Sequence, residues 1–243
     1  KAMNFDNITI ILCRTSHPGN IGSTARAMQT MGFKKLCLVG PKIFPSAEAT
    51  ALAANAKEVL DNTKTCQNIE AALVNQHFVI GFTARKRELT QPHVNLKDLP
   101  GEIVKLKEKQ NIAILFGNET NGLSNEEIKF CNMLCYIDSE SNAASLNLAQ
   151  AAQICCYELK MALKQKQNSL IANVNTKSFV TNDRLNGFYE HLESTLDELG
   201  FLKKIQAERL MQRLRLLFNR TQLDEEELNI LRGILSEIQK KIK

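Results

Sequence analysis

Apolar residues fall in short runs over the first two thirds of the chain and at helical spacing over the last third. Residues 8–13 (ITIILC), 35–39 (KLCLV), 78–82 (FVIGF), 112–116 (IAILF) and 134–137 (LCYI) are nearly continuous in hydrophobicity. Such runs predict strands covered on both faces. Between them, residues 20–31, 47–54, 69–74 and a lysine-rich 102–109 read as helices. Residues 146–164 read as a long helix with Leu148, Ala152, Cys156, Leu159 and Leu163 along one side. Strands alternating with helices predict an α/β class, with a parallel sheet and helices on both its faces.

The pattern changes after residue 164. Gln, Asn, Ser, Thr and Lys dominate residues 165–182 and periodicity fades, which predicts a linker. Three amphipathic helices follow. Their stripes are Leu185, Phe188, Leu192, Leu196 and Leu199, then Leu210, Leu214 and Leu217, then Leu228, Leu231, Leu235, Ile238 and Ile242. The expected division is a sheet domain over 1–164, a linker over 165–182 and a small all-helical extension over 183–243.

Composition narrows the class. At 243 residues, 44% hydrophobic and 23% charged, the chain has the make-up of a globular protein with one sizeable domain and one small one. No apolar run approaches a membrane span, and the first residues lack the layout of a signal peptide. The expectation is a cytoplasmic protein with no membrane partner. Seven cysteines, at 13, 37, 66, 131, 135, 155 and 156, are odd in number and without paired metal-ligand spacing. They read as reduced core residues, and no metal is expected. The net charge of +5 resides in residues 1–182, with 20 basic and 15 acidic residues, because 183–243 hold 11 of each. A modest basic excess fits a phosphate-rich partner and many others besides. Within the tail, residues 203–220 carry six basic residues against one acidic.

Three loops carry candidate chemistry. The first, Thr15-Ser-His-Pro-Gly-Asn-Ile-Gly-Ser-Thr-Ala-Arg26, leads from a strand into a helix near Asn20, where free amides attract anions. Gly19-x-x-Gly22 is half of a dinucleotide fingerprint, but His17 stands where its first glycine belongs. Arg26 is either an anion-binding residue or a solvated helix arginine. The second loop follows the 112–116 strand and has the Gly117-x-x-x-x-Gly122 spacing of a triphosphate-binding loop. Leu123 replaces the lysine that such a loop needs, and Glu119 adds negative charge, so a triphosphate is excluded. Glu119 alone reads as a loop-bracing carboxylate. The third loop is Ala143-Ala144-Ser145-Leu146-Asn147-Leu148-Ala149-Gln150, in which Ser145 is placed to cap the following helix and Asn147 to brace a loop.

Taken together, Asn20-x-Gly22-Ser23-x-x-Arg26, Leu115-Phe116-Gly117-Asn118-Glu119-x-x-Gly122-Leu123 and Ser145-Leu146-Asn147-Leu148-Ala149 resemble the three motifs of the SpoU-type RNA 2′-O-methyltransferases, of the knotted SPOUT superfamily. Order and spacing agree over most of residues 7–163. Phe188-Tyr189-Glu190-His191-Leu192 and Leu228-Asn229-Ile230-Leu231-Arg232-Gly233 resemble the C-terminal region of bacterial tRNA (cytidine/uridine-32) 2′-O-methyltransferases.

The resemblance implies a C-terminal trefoil knot, an obligate homodimer, S-adenosylmethionine as cofactor and tRNA as partner. It places Phe82, Thr83, Ala84, Gly117, Ile137, Ala144, Ser145 and Leu146 around the cofactor. It gives Arg26 a base-like role; the chemistry of a guanidinium favours instead a fixed cation that grips the adjacent phosphate and stabilises the developing alkoxide, held by Asn20, Glu119, Ser145 and Asn147. Arg85 and Arg87 become candidates for tRNA phosphates. The implied reaction is 2′-O-methylation of cytidine or uridine at position 32. Two other readings stay open: the same chemistry on ribosomal RNA, and a non-catalytic RNA-binding protein of the same fold.

Overall fold

The computed structural model describes residues 5–84, 91–106, 110–140, 146–168 (backbone only over 163–168), 179–202 and 206–242. Strands and helices alternate as β1 (Ile8–Cys13), α1 (Pro18–Met31), β2 (Lys35–Val39), α2 (Ala47–Ala53), α3 (Lys57–Asp61), β3 (Lys64–Cys66), α4 (Ile69–Leu73) and β4 (Phe78–Phe82). The body continues through β5 (His93–Asn95), α5 (Leu99–Val104), β6 (Ile112–Phe116), α6 (Asn125–Ile128), β7 (Met133–Tyr136) and α7 (Leu148–Asn168). The tail holds α8 (Asn182–Glu198), α9 (Ala207–Thr221) and α10 (Glu225–Ile242).

Seven strands form one sheet in the order β3-β2-β1-β6-β4-β7-β5. Every pairing is parallel. The two-residue period of a strand sorts its side chains to opposite faces. In β1, Ile8, Ile10 and Leu12 pack with α1, α2, α3, α5 and α7, while Ile11 and Cys13 pack with α4 and α6. The expected architecture of a parallel sheet with helices on both faces is present. The path of residues 141–145, on which the expected knot depends, lies outside the described residues.

The structure differs from the sequence reading in definite places. Strands β3 and β5 were not expected: each is three residues long, and neither is fully buried, so neither shows a continuous apolar run. Helices α3 and α6 are likewise too short to show a helical period. The helix expected over 102–109 is α5, which starts earlier at Leu99, with Pro100 in its first turn, where its missing N–H costs nothing. Helix α7 runs to Asn168 and takes up the first residues of the expected linker, because Gln and Lys favour helix and no breaker intervenes. Residues 169–178 of that linker lie outside the described residues.

The tail packs around Leu185, Phe188, Tyr189, Leu192, Met211, Leu223, Leu228 and Leu235. The expected stripe of α9 is rotated: Met211, Leu214 and Phe218 face the tail core, and Leu217 is exposed. Asn219 docks the tail on the body. Its Nδ2 donates to the Lys129 carbonyl at 2.8 Å, its Oδ1 accepts from Tyr189 Oη at 2.8 Å, and its carbonyl accepts from Asn132 Nδ2 at 3.3 Å. A second seam joins Asn182 N to the Gln76 carbonyl at 2.8 Å and Gln110 Nε2 to the Phe179 carbonyl at 3.3 Å. Among the described residues, no helix is long and apolar enough to cross a membrane.

Candidate active site at the carboxyl ends of the strands

In a parallel sheet all the loops that follow strands emerge at one edge, and ligands of open α/β sheets bind there. The loops after β4, β6 and β7 meet at that edge around a cavity of about 310 Å³. This lies at the low end of the range for small-molecule sites. Phe82, Thr83, Ala84, Gly117, Ile137 and Leu146, all named from the sequence, line it, together with Glu119 and Leu148. Ala144 and Ser145, also named, lie outside the described residues, as do Arg85 and Arg87.

The wall formed by residues 117–123 is a self-closing turn. Gly122 N donates to the Asn118 carbonyl at 2.8 Å, and Thr120 N donates to Asn118 Oδ1 at 2.9 Å. A Cβ at Gly117 would collide with the backbone of Gly122 and Leu123, so only glycine permits this closure. Leu123, at the position a phosphate-binding lysine would hold, is buried in the core on the α4–α6 side of the sheet.

Glu119 joins the three loops. Its Oε2 accepts from Ser16 N at 3.0 Å and Ser16 Oγ at 2.9 Å, and its Oε1 accepts from Asn20 Nδ2 at 2.9 Å. Asn20 Oδ1 in turn accepts from Asn147 Nδ2 at 3.0 Å. Burial pushes the Glu119 carboxyl up, but the hydrogen bonds from Ser16 and Asn20 outweigh it and lower the pKa to about 2. The group is an ionised brace at neutral pH, and too weak a base to accept a proton from a hydroxyl.

Asn147 also corrects the capping assignment. It stands immediately before α7, and its Oδ1 accepts from Ala149 N at 2.9 Å and Gln150 N at 3.4 Å, which is the N-cap arrangement expected of Ser145. Leu146 and Leu148 both line the cavity, Leu148 being buried as well.

The first loop is shorter than its sequence suggests. Helix α1 begins at Pro18, so Gly19 and Gly22 belong to the helix rather than to an anion-binding turn. Gly22 is there for packing, since a Cβ would strike the Ala49 carbonyl of α2. Arg26 therefore sits roughly two turns inside α1. It is exposed and does not line the cavity of its own chain.

Sequence reasoning missed Arg14 and Glu127. Arg14 Nε and Nη2 each lie 2.8 Å from one oxygen of Glu127, and Nη2 also reaches the Gly122 carbonyl at 3.2 Å. Glu127 closes a capping box with Ser124 at the start of α6. The S-x-x-E spacing of residues 124–127 is a readable signal of that cap. The ion pair carries no sequence signal, because its members lie 113 residues apart. Burial pushes Glu127 up, and the hydrogen bonds from Arg14 and Ser124 more than reverse this. Among the described residues, no three His, Cys, Asp or Glu side chains gather as a metal site, and all seven cysteines are free.

Residues 7–157 match the SpoU rRNA Methylase family, and residues 183–243 match the tRNA methyltransferase TrmJ, C-terminal domain. The chain is 41% identical over 235 residues to the tRNA (cytidine/uridine-2′-O-)-methyltransferase TrmJ of Photorhabdus laumondii, covering 97% of this chain and 98% of that protein. It is 39% identical to the tRNA (cytidine/uridine/adenosine-2′-O-)-methyltransferase TrmJ of Pseudomonas aeruginosa, covering 97% of this chain and 95% of that protein. The crystal structure of TrmJ from Z. mobilis superposes with a TM-score of 0.83 at 27% identity, over 95% of this chain and 98% of that one.

Proposed function

The chain belongs to the SpoU methylase family, and from that premise we propose that it methylates the ribose 2′-oxygen of cytidine or uridine at position 32 of the tRNA anticodon loop, as a cytoplasmic homodimer using S-adenosylmethionine. The observation that carries this reading is the hydrogen-bonded series Ser16–Glu119–Asn20–Asn147. It draws three distant motifs together at the rim of a cavity of about 310 Å³. The full-length relatives named for tRNA and the matching tail favour tRNA over ribosomal RNA.

The residues of the cavity fit the cofactor. Phe82, Phe116, Leu146 and Leu148 offer apolar surface to an adenosine, and the Gly117–Gly122 turn brings backbone polar groups to the same wall. Ala144 and Ser145 complete the proposed pocket. The cofactor supplies the methyl group. The protein's part is to hold the ribose hydroxyl in line with it, and positioning of this kind supplies several kcal/mol of a barrier.

Arg26 is the proposed phosphate grip and alkoxide stabiliser. A guanidinium serves here as a fixed cation rather than as a base. Its exposure on α1, outside the cavity of its own chain, supports a dimer in which each Arg26 serves the partner's pocket. Glu119, Asn20 and Asn147 brace the rim at which it acts, and Ser145 is assigned to the same set.

Tail and loop arginines are assigned to tRNA phosphates. Arg85 and Arg87 follow directly after Ala84 of the cavity wall. Arg209, Arg213 and Arg220 are exposed on α9, and their spacing of four and seven sets them on one face. The test is to incubate tRNA carrying cytidine, uridine or adenosine at position 32 with the protein and labelled S-adenosylmethionine, then map the modified nucleotide. A 2′-O-methyl group at position 32 is expected. Label elsewhere, or none, would overturn the assignment.

A further inference from the structure

The geometry points to Arg14 and Glu127 as a positioning pair for cofactor binding, a bidentate clamp that sets how far the 117–124 loop closes over the cavity. This rests on the methyltransferase reading and adds to it two residues outside the three motifs.

The loop needs an anchor. It supplies one wall of the cavity, yet Thr120 and Asn121 at its tip are exposed, so apolar packing holds its Leu123 end and not its tip. Its first half is tied to the 14–20 segment by Asn118 Nδ2 on the Arg14 carbonyl at 2.7 Å and by Glu119 on Ser16 and Asn20. Its second half is seated by Leu123 in the core and tied to the Arg14 side chain, directly through the Gly122 carbonyl at 3.2 Å and through Glu127, whose Oε2 accepts from Ser124 N at 2.7 Å. Both halves thus converge on one residue.

Arg14 is fixed for that role. Its backbone N–H donates to the Val39 carbonyl at 2.7 Å, and its φ of 54° places it in the left-handed region, which an arginine adopts only when its surroundings hold it there. Glu127 is buried, so the pair is shielded on one side, and the fork of two N–H donors against two carboxylate oxygens fixes direction as well as distance. A lysine offers the charge without the fork. Arg14 itself does not line the cavity, so it acts through the loop.

The experiment measures S-adenosylmethionine affinity by calorimetry, with the separate KM values for cofactor and tRNA, for the full chain and for R14A, R14K, E127Q and R14A/E127Q. Thermal unfolding of each is followed in parallel. The expected result is a roughly tenfold loss of cofactor affinity in R14A, a partial loss in R14K and a tRNA KM within about twofold. Because the two side chains act as one unit, the double variant should bind no more weakly than the poorer single variant. Unchanged cofactor affinity in R14A, additive losses in the double variant, or equal rises in both KM values would overturn the clamp. Failure of the unmutated chain to bind S-adenosylmethionine would overturn the proposed function together with the clamp, which separates the two failures.

Discussion

The sheet body and the helical tail achieve order by opposite means. At the site end of the body, residues 99 and 127 positions apart are joined by side-chain hydrogen bonds, Asn20 to Glu119 and Asn147 to Asn20. In the tail, apolar packing does the work: Phe188 meets Phe218 edge-on at 5.0 Å, and leucines from α8 and α10 close around them. The body uses polar cross-links to place chemistry; the tail uses an apolar interior to display charge on its outside. A fault in the first is expected to change turnover, and a fault in the second to change RNA affinity.

The largest separation of these roles is expected from Arg26→Ala. Methyl transfer should fall by roughly 10³-fold, with cofactor affinity and thermal midpoint nearly intact. Retained turnover of labelled methyl onto tRNA would break the comparison. Glu119→Gln comes next, with a loss of about 10²-fold in kcat as three loops lose their common acceptor. It also carries a pH signature. The folded Glu119 has a pKa lowered to about 2 from an ordinary 4.5, so its stabilisation is fully present above 4.5 and is lost as pH falls toward 2. Acid unfolding curves of Glu119→Gln should be flatter across that window than those of the unmutated chain.

Smaller effects belong to the tail. Replacing Arg209, Arg213 and Arg220 together by alanine should weaken tRNA binding roughly tenfold and lower the salt dependence of log K by about two to three, without touching cofactor affinity. An unchanged salt slope, read by binding titrations at several salt concentrations, would remove α9 from the RNA surface. Asn219→Ala is the mildest. It removes the donor to the Lys129 carbonyl and leaves the Tyr189 hydroxyl to the longer bond with the Arg215 carbonyl at 3.3 Å, and should cost about 1–3 kcal/mol, visible as a few degrees of midpoint and as faster proteolysis of the tail.

What the sequence disclosed followed from periodicity. Strands β1, β2, β4 and β6 are legible to the residue, because near-complete burial leaves an almost continuous apolar run. Strands β3 and β5, exposed in part and three residues long, leave no such trace. The cavity was legible through motif resemblance, and six of the eight residues named for it line it. The cross-links were not. That Asn20 bonds both Glu119 and Asn147, or that Arg14 meets Glu127, depends on where loops a hundred or so residues apart come to rest, and no local spacing encodes it. The α9 stripe was misjudged because Leu217 and Met211 are equally apolar, and only packing decides which turns inward.

The strand order also fixes a timetable. In the series β3-β2-β1-β6-β4-β7-β5, the neighbours of β4 are β6 and β7, and among the described residues β5 pairs only with β7. During synthesis, therefore, β4 and β5 leave the ribosome with no strand to pair with, their edges open to other chains until about thirty further residues have been made for β4 and about forty for β5. Non-local parallel pairing of this kind closes slowly. One wall of the cavity follows β4, but the others follow β6 and β7, so a nascent chain offers a ligand no complete pocket before its sheet is finished. A small molecule that binds there stabilises finished molecules alone, which makes ligand-induced protection an assay of complete folding as well as of affinity.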